Sequence, residues 1–155
     1  TLVGICFGHQ LISKALGGRV EKSEKGWGVG AHTVDVVAPE PWMRPALPEG
    51  RSRLNVLVSH QDQVIEPPAG AKTLIATEFC PHGMLRIGDR VLTMQGHPEM
   101  VREIVEVILE MRKDVFEPHV YEGGWRSLEK DLDHDVLGQW IGAFIREATA
   151  KKEAA

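Results

Sequence analysis

One five-residue stretch, Gly4-Ile5-Cys6-Phe7-Gly8, constrains this chain more than any other. It has the form G-x-C-x-G, the nucleophile-elbow pattern with cysteine in place of serine, which requires a strand that turns sharply into a helix. The neighbouring residues supply that context. Residues 1–5 are a short apolar run rich in strand formers. From 8 to 16 the apolar residues Leu11, Ile12, Ala15 and Leu16 recur at helical spacing, and Gly17-Gly18 closes the helix. Gly4 and Gly8 are expected to be steric, because side chains there would collide across the turn. Cys6 would then sit at a helix N-terminus, where the dipole and free N–H groups favour thiolate over thiol. The N–H of Phe7, the residue after the nucleophile, is expected to face an oxyanion. Taken alone, the same residues fit a buried structural cysteine equally well.

The rest of the chain reads as a mixture of strands and helices. Residues 29–37 and 54–58 are apolar, β-branched strands, and the second delivers Ser59-His60-Gln61-Asp62 at its end. Between them, 38–53 carries Pro39, Pro41, Pro45 and Pro48 and reads as a loop. Shorter strands are expected at 73–77, 84–87 and 91–95, with Gly88-Asp89 as a hairpin turn. Val101, Ile104, Val105, Ile108 and Leu109 share one helical face, so 101–113 is an amphipathic helix. Residues 116–126, with Gly123-Gly124, read as a loop. A last helix over about 128–149 carries Leu132, Val136, Leu137, Trp140, Ile141, Phe144 and Ile145, and 151–155 is a polar tail. The fold class is therefore α/β. The 155 residues divide into a main part, 1–115, and a helical extension, 116–155, packed on the same domain.

Charge and composition remove several function classes. The net charge of −4 comes with no basic stripe, which argues against nucleic acid. No apolar run approaches a membrane span, and no secretory signal is visible. Two cysteines, Cys6 and Cys80, do not make a disulfide framework, so a reducing cytoplasm is expected. Cys6, His9, Cys80 and His82 lack a recognised zinc spacing, and neither metal nor cofactor is expected.

Gln95-Gly96-His97-Pro98-Glu99 changes how Cys6 is read. Two residues apart in an extended segment, His97 and Glu99 would point to the same side, with Pro98 stiffening the backbone between them. A carboxylate so placed fixes the imidazole tautomer, the task of the third member of a catalytic triad. The strand at 91–95 would bring the pair to a strand end, where the sites of open α/β sheets collect.

With both motifs in hand, the chain resembles the class I, triad-type glutamine amidotransferase domain. Gly4-Ile5-Cys6-Phe7-Gly8-His9-Gln10 is similar to that family's nucleophile signature, and Gly96-His97-Pro98-Glu99 to its base-and-acid signature. Ser59-His60-Gln61-Asp62 resembles a segment of the GMP-synthase-like branch, and the likeness covers roughly 1–113. It implies a flavodoxin-like fold: an open, mostly parallel sheet with flanking helices. It further implies that strands normally preceding the nucleophile strand, with a second oxyanion donor, are missing from this chain. An unpaired sheet edge left there would favour self-association, so a homodimer enters the expected partners.

The implied chemistry is attack by Cys6 on the glutamine side-chain amide, giving a γ-glutamyl thioester and ammonia, with His97 and Glu99 moving protons. Gln10 and the backbone around Ser59, His60 and Gln61 would hold the amino-acid end of the substrate. No G-x-x-x-x-G-K-[ST] loop is present, so an ammonia-consuming synthetase would be a separate domain or subunit. Two other readings stay open: a γ-glutamyl peptidase or hydrolase, and a catalytically silent module that binds through the same fold.

Overall fold

The computed structural model describes residues 1–153, with side chains through residue 150. In chain order, β1 (Leu2–Ile5) turns at Cys6 into α1 (Phe7–Ala15). There follow β2 (Arg19–Lys22), β3 (Gly28–Val36), β4 (Arg53–His60), β5 (Asp62–Glu66), β6 (Ala71–Ala76), β7 (Met84–Ile87) and β8 (Val91–Met94). Three helices complete the fold: α2 (Arg102–Met111), α3 (Pro118–Ser127) and α4 (His134–Glu153). The expected polar tail overlaps the end of α4, and its last two residues lie outside the described ones.

Six strands form one sheet in the order β1-β8-β7-β6-β3-β4, while β2 and β5 make a separate two-stranded ribbon. The α/β class and the flanking helices are as expected. The strand directions are not. Among the described residues only β1 and β8 run parallel, in the register Gly4↔Thr93, and the other strand pairings are antiparallel. The reason lies in the connections. Short links such as the Gly88 turn (φ 58°) between β7 and β8 return the chain alongside itself, whereas a parallel pair needs a long crossover.

Alternate residues of β3 and β4 feed two cores, one on each face of the sheet. On one face Val34, Leu54, Val56 and Val58 join Leu74, Met84 and Leu92 beneath α4, which contributes Leu137, Trp140 and Phe144. The Pro-rich loop closes this side: Trp42 packs edge-on against Phe144 at 5.3 Å, and Trp140 Nε1 donates to the Pro45 carbonyl at 2.8 Å. On the other face Val29, Ala31 and Leu57 meet Val105 and Leu109 of α2, together with Phe116 and Leu128.

Two stretches depart from expectation. Residues 118–127 are a helix rather than a loop. Pro118 occupies its first turn, where a missing N–H costs nothing, and Gly124 is buried against the sheet. A Cβ on Gly124 would lie 2.8 Å from Leu109 Cδ2 and 3.2 Å from Val29 Cγ1, so the glycine is a close-packing requirement and not a helix breaker. The last helix begins at His134, later than expected. Asn55 holds the preceding residues outside the helix, with its N–H on Asp133 Oδ2 (2.8 Å) and its Nδ2 on the Asp131 carbonyl (2.8 Å).

Candidate active site

The β1–α1 turn has the predicted geometry. Cys6 is the only non-glycine residue with positive φ among those described (φ 49°, ψ −101°), a conformation that costs on the order of 1–3 kcal/mol. Its N–H is held by the Met94 carbonyl at 2.8 Å, and its carbonyl accepts the first helical bond, from Gln10. The strain is sustained by packing below. A Cβ on Gly4 would stand 2.5 Å from Ile12 Cδ1 and 2.7 Å from the Gly8 carbonyl, so only glycine lets the helix lie this close. Gly8 does not share that role: a Cβ there meets nothing within 4 Å, because the position faces away from the turn.

His9 pins α1 to the sheet from the buried side. Its Nδ1 lies 2.8 Å from Thr93 Oγ1, and both residues are fully buried. Burial, with His60 and His82 adding positive potential, drops its pKa to about 3, so the ring is neutral. His82 is bound to Thr73 Oγ1 at 2.9 Å, and burial raises the Cys80 thiol to about 11. Among the described residues no group of three or more His, Cys, Asp or Glu side chains could hold a metal ion.

His97 reaches Cys6 from the far end of β8. After Met94 the chain leaves the strand, the Gln95 N–H binds the Gly83 carbonyl, and the His97 N–H binds the Leu57 carbonyl at 2.8 Å. His97 Nδ1 lies 2.6 Å from Glu99 Oε1. The two side chains therefore meet, but across a turn and not along the extended segment expected: Pro98 and Glu99 bend the chain so that the Met100 N–H approaches the His97 carbonyl at 3.4 Å. Burial alone would lower the His97 pKa; hydrogen bonds to Cys6 and Glu99 outweigh it and hold it above the ordinary histidine value. With Nδ1 committed to the carboxylate, the other ring nitrogen is left available.

Cys6 opens into a cleft of about 520 Å³ lined by Gln10, Ser59, His60 and Gln61 from the predicted set and by Lys22, Trp27, Asp62 and Arg112. The His60 ring points inward. It is buried, packs edge-on against Phe79 at 5.9 Å, lies with Nδ1 3.1 Å from the Asp62 carbonyl, and is held by burial at a pKa of about 4. Phe7 is 71% exposed, and its N–H, first in α1, has no acceptor among the described residues.

Four features in or beside the cleft were not legible in the sequence. Gln95 approaches the sulfur, with Nε2 3.5 Å from Cys6 Sγ. Lys22 arrives through the β2–β5 ribbon, paired opposite Asp62. Arg112 caps the end of α2 and stacks over the Trp27 ring at 5.5 Å, and Trp27 in turn packs edge-on against Phe116 at the same distance. The ribbon that brings Lys22 has too short a strand pattern to be seen; a glutamine two residues before His97 was visible but carried no recognisable spacing.

Comparison with known proteins agrees with this fold and with its motifs' family. Residues 1–106 match the family model described as glutamine amidotransferase class-I. A glutamine amidotransferase-like protein of Schizosaccharomyces pombe is 32% identical over 149 residues, which is 94% of this chain and 58% of that protein. Gamma-glutamyl peptidase 4 of Arabidopsis thaliana is 38% identical over 113 residues (70% of this chain, 44% of that protein). A glutamine-hydrolysing GMP synthase subunit of Sulfolobus acidocaldarius is 35% identical over 99 residues (63% and 50%). The chain thus spans about half the length of the curated relatives it matches. The crystal structure of a glutamine amidotransferase from Thermotoga maritima superposes with a TM-score of 0.68 over 92% of this chain and 61% of that one, at 23% identity, and shares the fold. With its motifs, its fold and its family match in agreement, the chain belongs to the class I glutamine amidotransferase family.

Proposed function

We propose that this chain hydrolyses glutamine-type side-chain amides through a covalent intermediate on Cys6, with Cys6, His97 and Glu99 as a catalytic triad. The observation that carries the proposal is a strained cysteine at a helix N-terminus that, together with Glu99, raises the His97 pKa, with the imidazole Nδ1 2.6 Å from the Glu99 carboxylate. The Cys6 thiol gives its proton to His97, and Sγ bonds to the amide carbon. The resulting oxyanion faces the free Phe7 N–H. The C–N bond then breaks as His97 returns the proton to the leaving nitrogen, releasing ammonia or an amine and leaving a γ-glutamyl thioester. Water, deprotonated by His97, attacks the thioester, and glutamate leaves as the thiol is restored. Gln10 and the turn at Ser59, His60 and Gln61 hold the amino-acid end of the substrate. Residues 116–155 act as an extension of the same domain.

Relatives differ in what leaves. One is named for GMP synthase, of which it is one subunit, and others are named γ-glutamyl peptidases. For this chain the first reading predicts a synthetase that consumes ammonia, in a cytoplasmic setting, with a homodimer as a further arrangement. The second reading is favoured by the cations and aromatic ring at the cleft rim. Release of ammonia from glutamine and of alanine from γ-glutamyl-alanine, each measured with the wild-type chain and with Cys6→Ser, tests the proposal. The substitution should take both to background; full activity in Cys6→Ser would sink the reading, and binding without turnover in the wild type would favour a silent module.

A further inference from the structure

Gln95 is 1% exposed, and both polar atoms of its side chain have partners. Oε1 accepts from Gln10 Nε2 at 3.1 Å, and Nε2 lies 3.5 Å from Cys6 Sγ. The same Gln10 nitrogen donates its second hydrogen to the Asp62 carbonyl at 2.8 Å. A primary amide has two N–H donors, and both of Gln10's are thereby used. The order of the chain fixes each amide. The Asp62 carbonyl only accepts; Gln10 must therefore turn its nitrogen toward Asp62 and Gln95, and Gln95 must then turn its oxygen to Gln10 and its nitrogen to the sulfur. Gln10 retains a single free polar atom, Oε1, which can only accept.

We propose that Gln95, oriented by Gln10, is a positioning residue for the nucleophile: it holds the Cys6 sulfur at the His97 ring and donates to it as thiolate character develops. Gln10 then acts in two directions, on the sulfur through its nitrogen and on the ammonium of a substrate through its oxygen. An N–H donor aimed at a thiolate is charge-assisted and favours the reactive form. The inference rests on Cys6 being the nucleophile, and the two ideas fail in different ways.

The test is alkylation of the full chain by iodoacetamide, a small neutral reagent with no amino-acid end, with Cys6 and Cys80 quantified separately by mass spectrometry. Cys80 is 8% exposed and reports folding. Gln95→Glu keeps an acceptor for Gln10 but loses the donor to sulfur, and Gln10→Leu removes the residue that orients Gln95. Each should slow Cys6 alkylation about tenfold, the scale of one net hydrogen bond, while Cys80 stays protected. If wild-type Cys6 reacts no faster than Cys80, the nucleophile reading itself falls. If wild-type Cys6 is fast and both variants match it within about twofold, the positioning role is overturned and Gln10 is left with substrate contact alone. Should Gln95→Glu expose Cys80, Gln10→Leu, at a half-exposed position, decides the matter.

Discussion

Glu99 Oε1 stands 2.6 Å from His97 Nδ1 although the Glu99 side chain is 55% exposed, so a solvated carboxylate joins Cys6 in setting the state of a mostly enclosed imidazole. Removing that charge has a definite sign. Glu99→Gln keeps the shape but no longer favours the imidazolium, so the His97 pKa falls from its raised value. An NMR titration of the ring checks this. Turnover should drop roughly ten- to hundredfold through loss of tautomer control. An unchanged His97 titration would show that the contact carries no electrostatic weight.

Gly4 and Gly8 separate a packing requirement from a motif. At Gly4 an added methyl would lie 2.5 Å from Ile12 Cδ1 and 2.7 Å from a backbone carbonyl, whereas at Gly8 the space is open. Gly4→Ala should therefore cost about 1–3 kcal/mol in denaturant unfolding, and Gly8→Ala should be neutral or slightly stabilising, since alanine is the better helix former. Equal effects would contradict the assignment of the β1–α1 contact to Gly4.

Legibility followed the range of the interactions. The elbow, α1, β3, β4, the β7–β8 hairpin and α2 were visible because each rests on a local pattern. Strand directions were not, since they depend on which strands the connections place side by side. Residues 118–127 hid their helix behind two glycines, one of which, Gly124, is explained only by Leu109 and Val29 packed upon it. At the site Cys6, His97 and Glu99 were readable as motif residues. Gln95 became visible only when the end of β8 met Cys6, and Lys22 and Arg112 only when the β2–β5 ribbon and the end of α2 converged on one cleft.

Three histidines give the fold an acid-sensitive stability. Burial, the largest cause in each case, holds His9 at about 3 and His32 and His60 at about 4, against 6.5 unperturbed. Their folded values are depressed, so the unfolded chain binds more protons between these limits. Their contribution is complete above pH 6.5 and is lost as pH falls from there toward 4, with a slope of up to about 1.4 kcal/mol per pH unit for each group. Chemical denaturation from about pH 7.5 to about 4.5 should show a falling midpoint. His9→Gln should flatten that fall, and a stability independent of pH over this range would contradict the burial of neutral rings.

Lys22 and Arg112 bring two cations to a cleft whose lining holds one acid, Asp62. A substrate with a second carboxylate suits that balance better than zwitterionic glutamine does. Replacing both cations by methionine should lower kcat/KM for γ-glutamyl-alanine about tenfold and leave that for glutamine within about twofold, with the difference shrinking at high salt. Identical losses for the two substrates would remove any part for these side chains in selecting the leaving group.

Covalent chemistry at Cys6 is tested most directly by acid quenching during turnover of glutamine or γ-glutamyl-alanine, followed by mass spectrometry of the peptide that contains Cys6. The expected result is a γ-glutamyl adduct on Cys6, none on Cys80, and none when Cys6→Ala is used. Hydrolysis that continues in Cys6→Ala, with no adduct on the wild-type peptide, would contradict it.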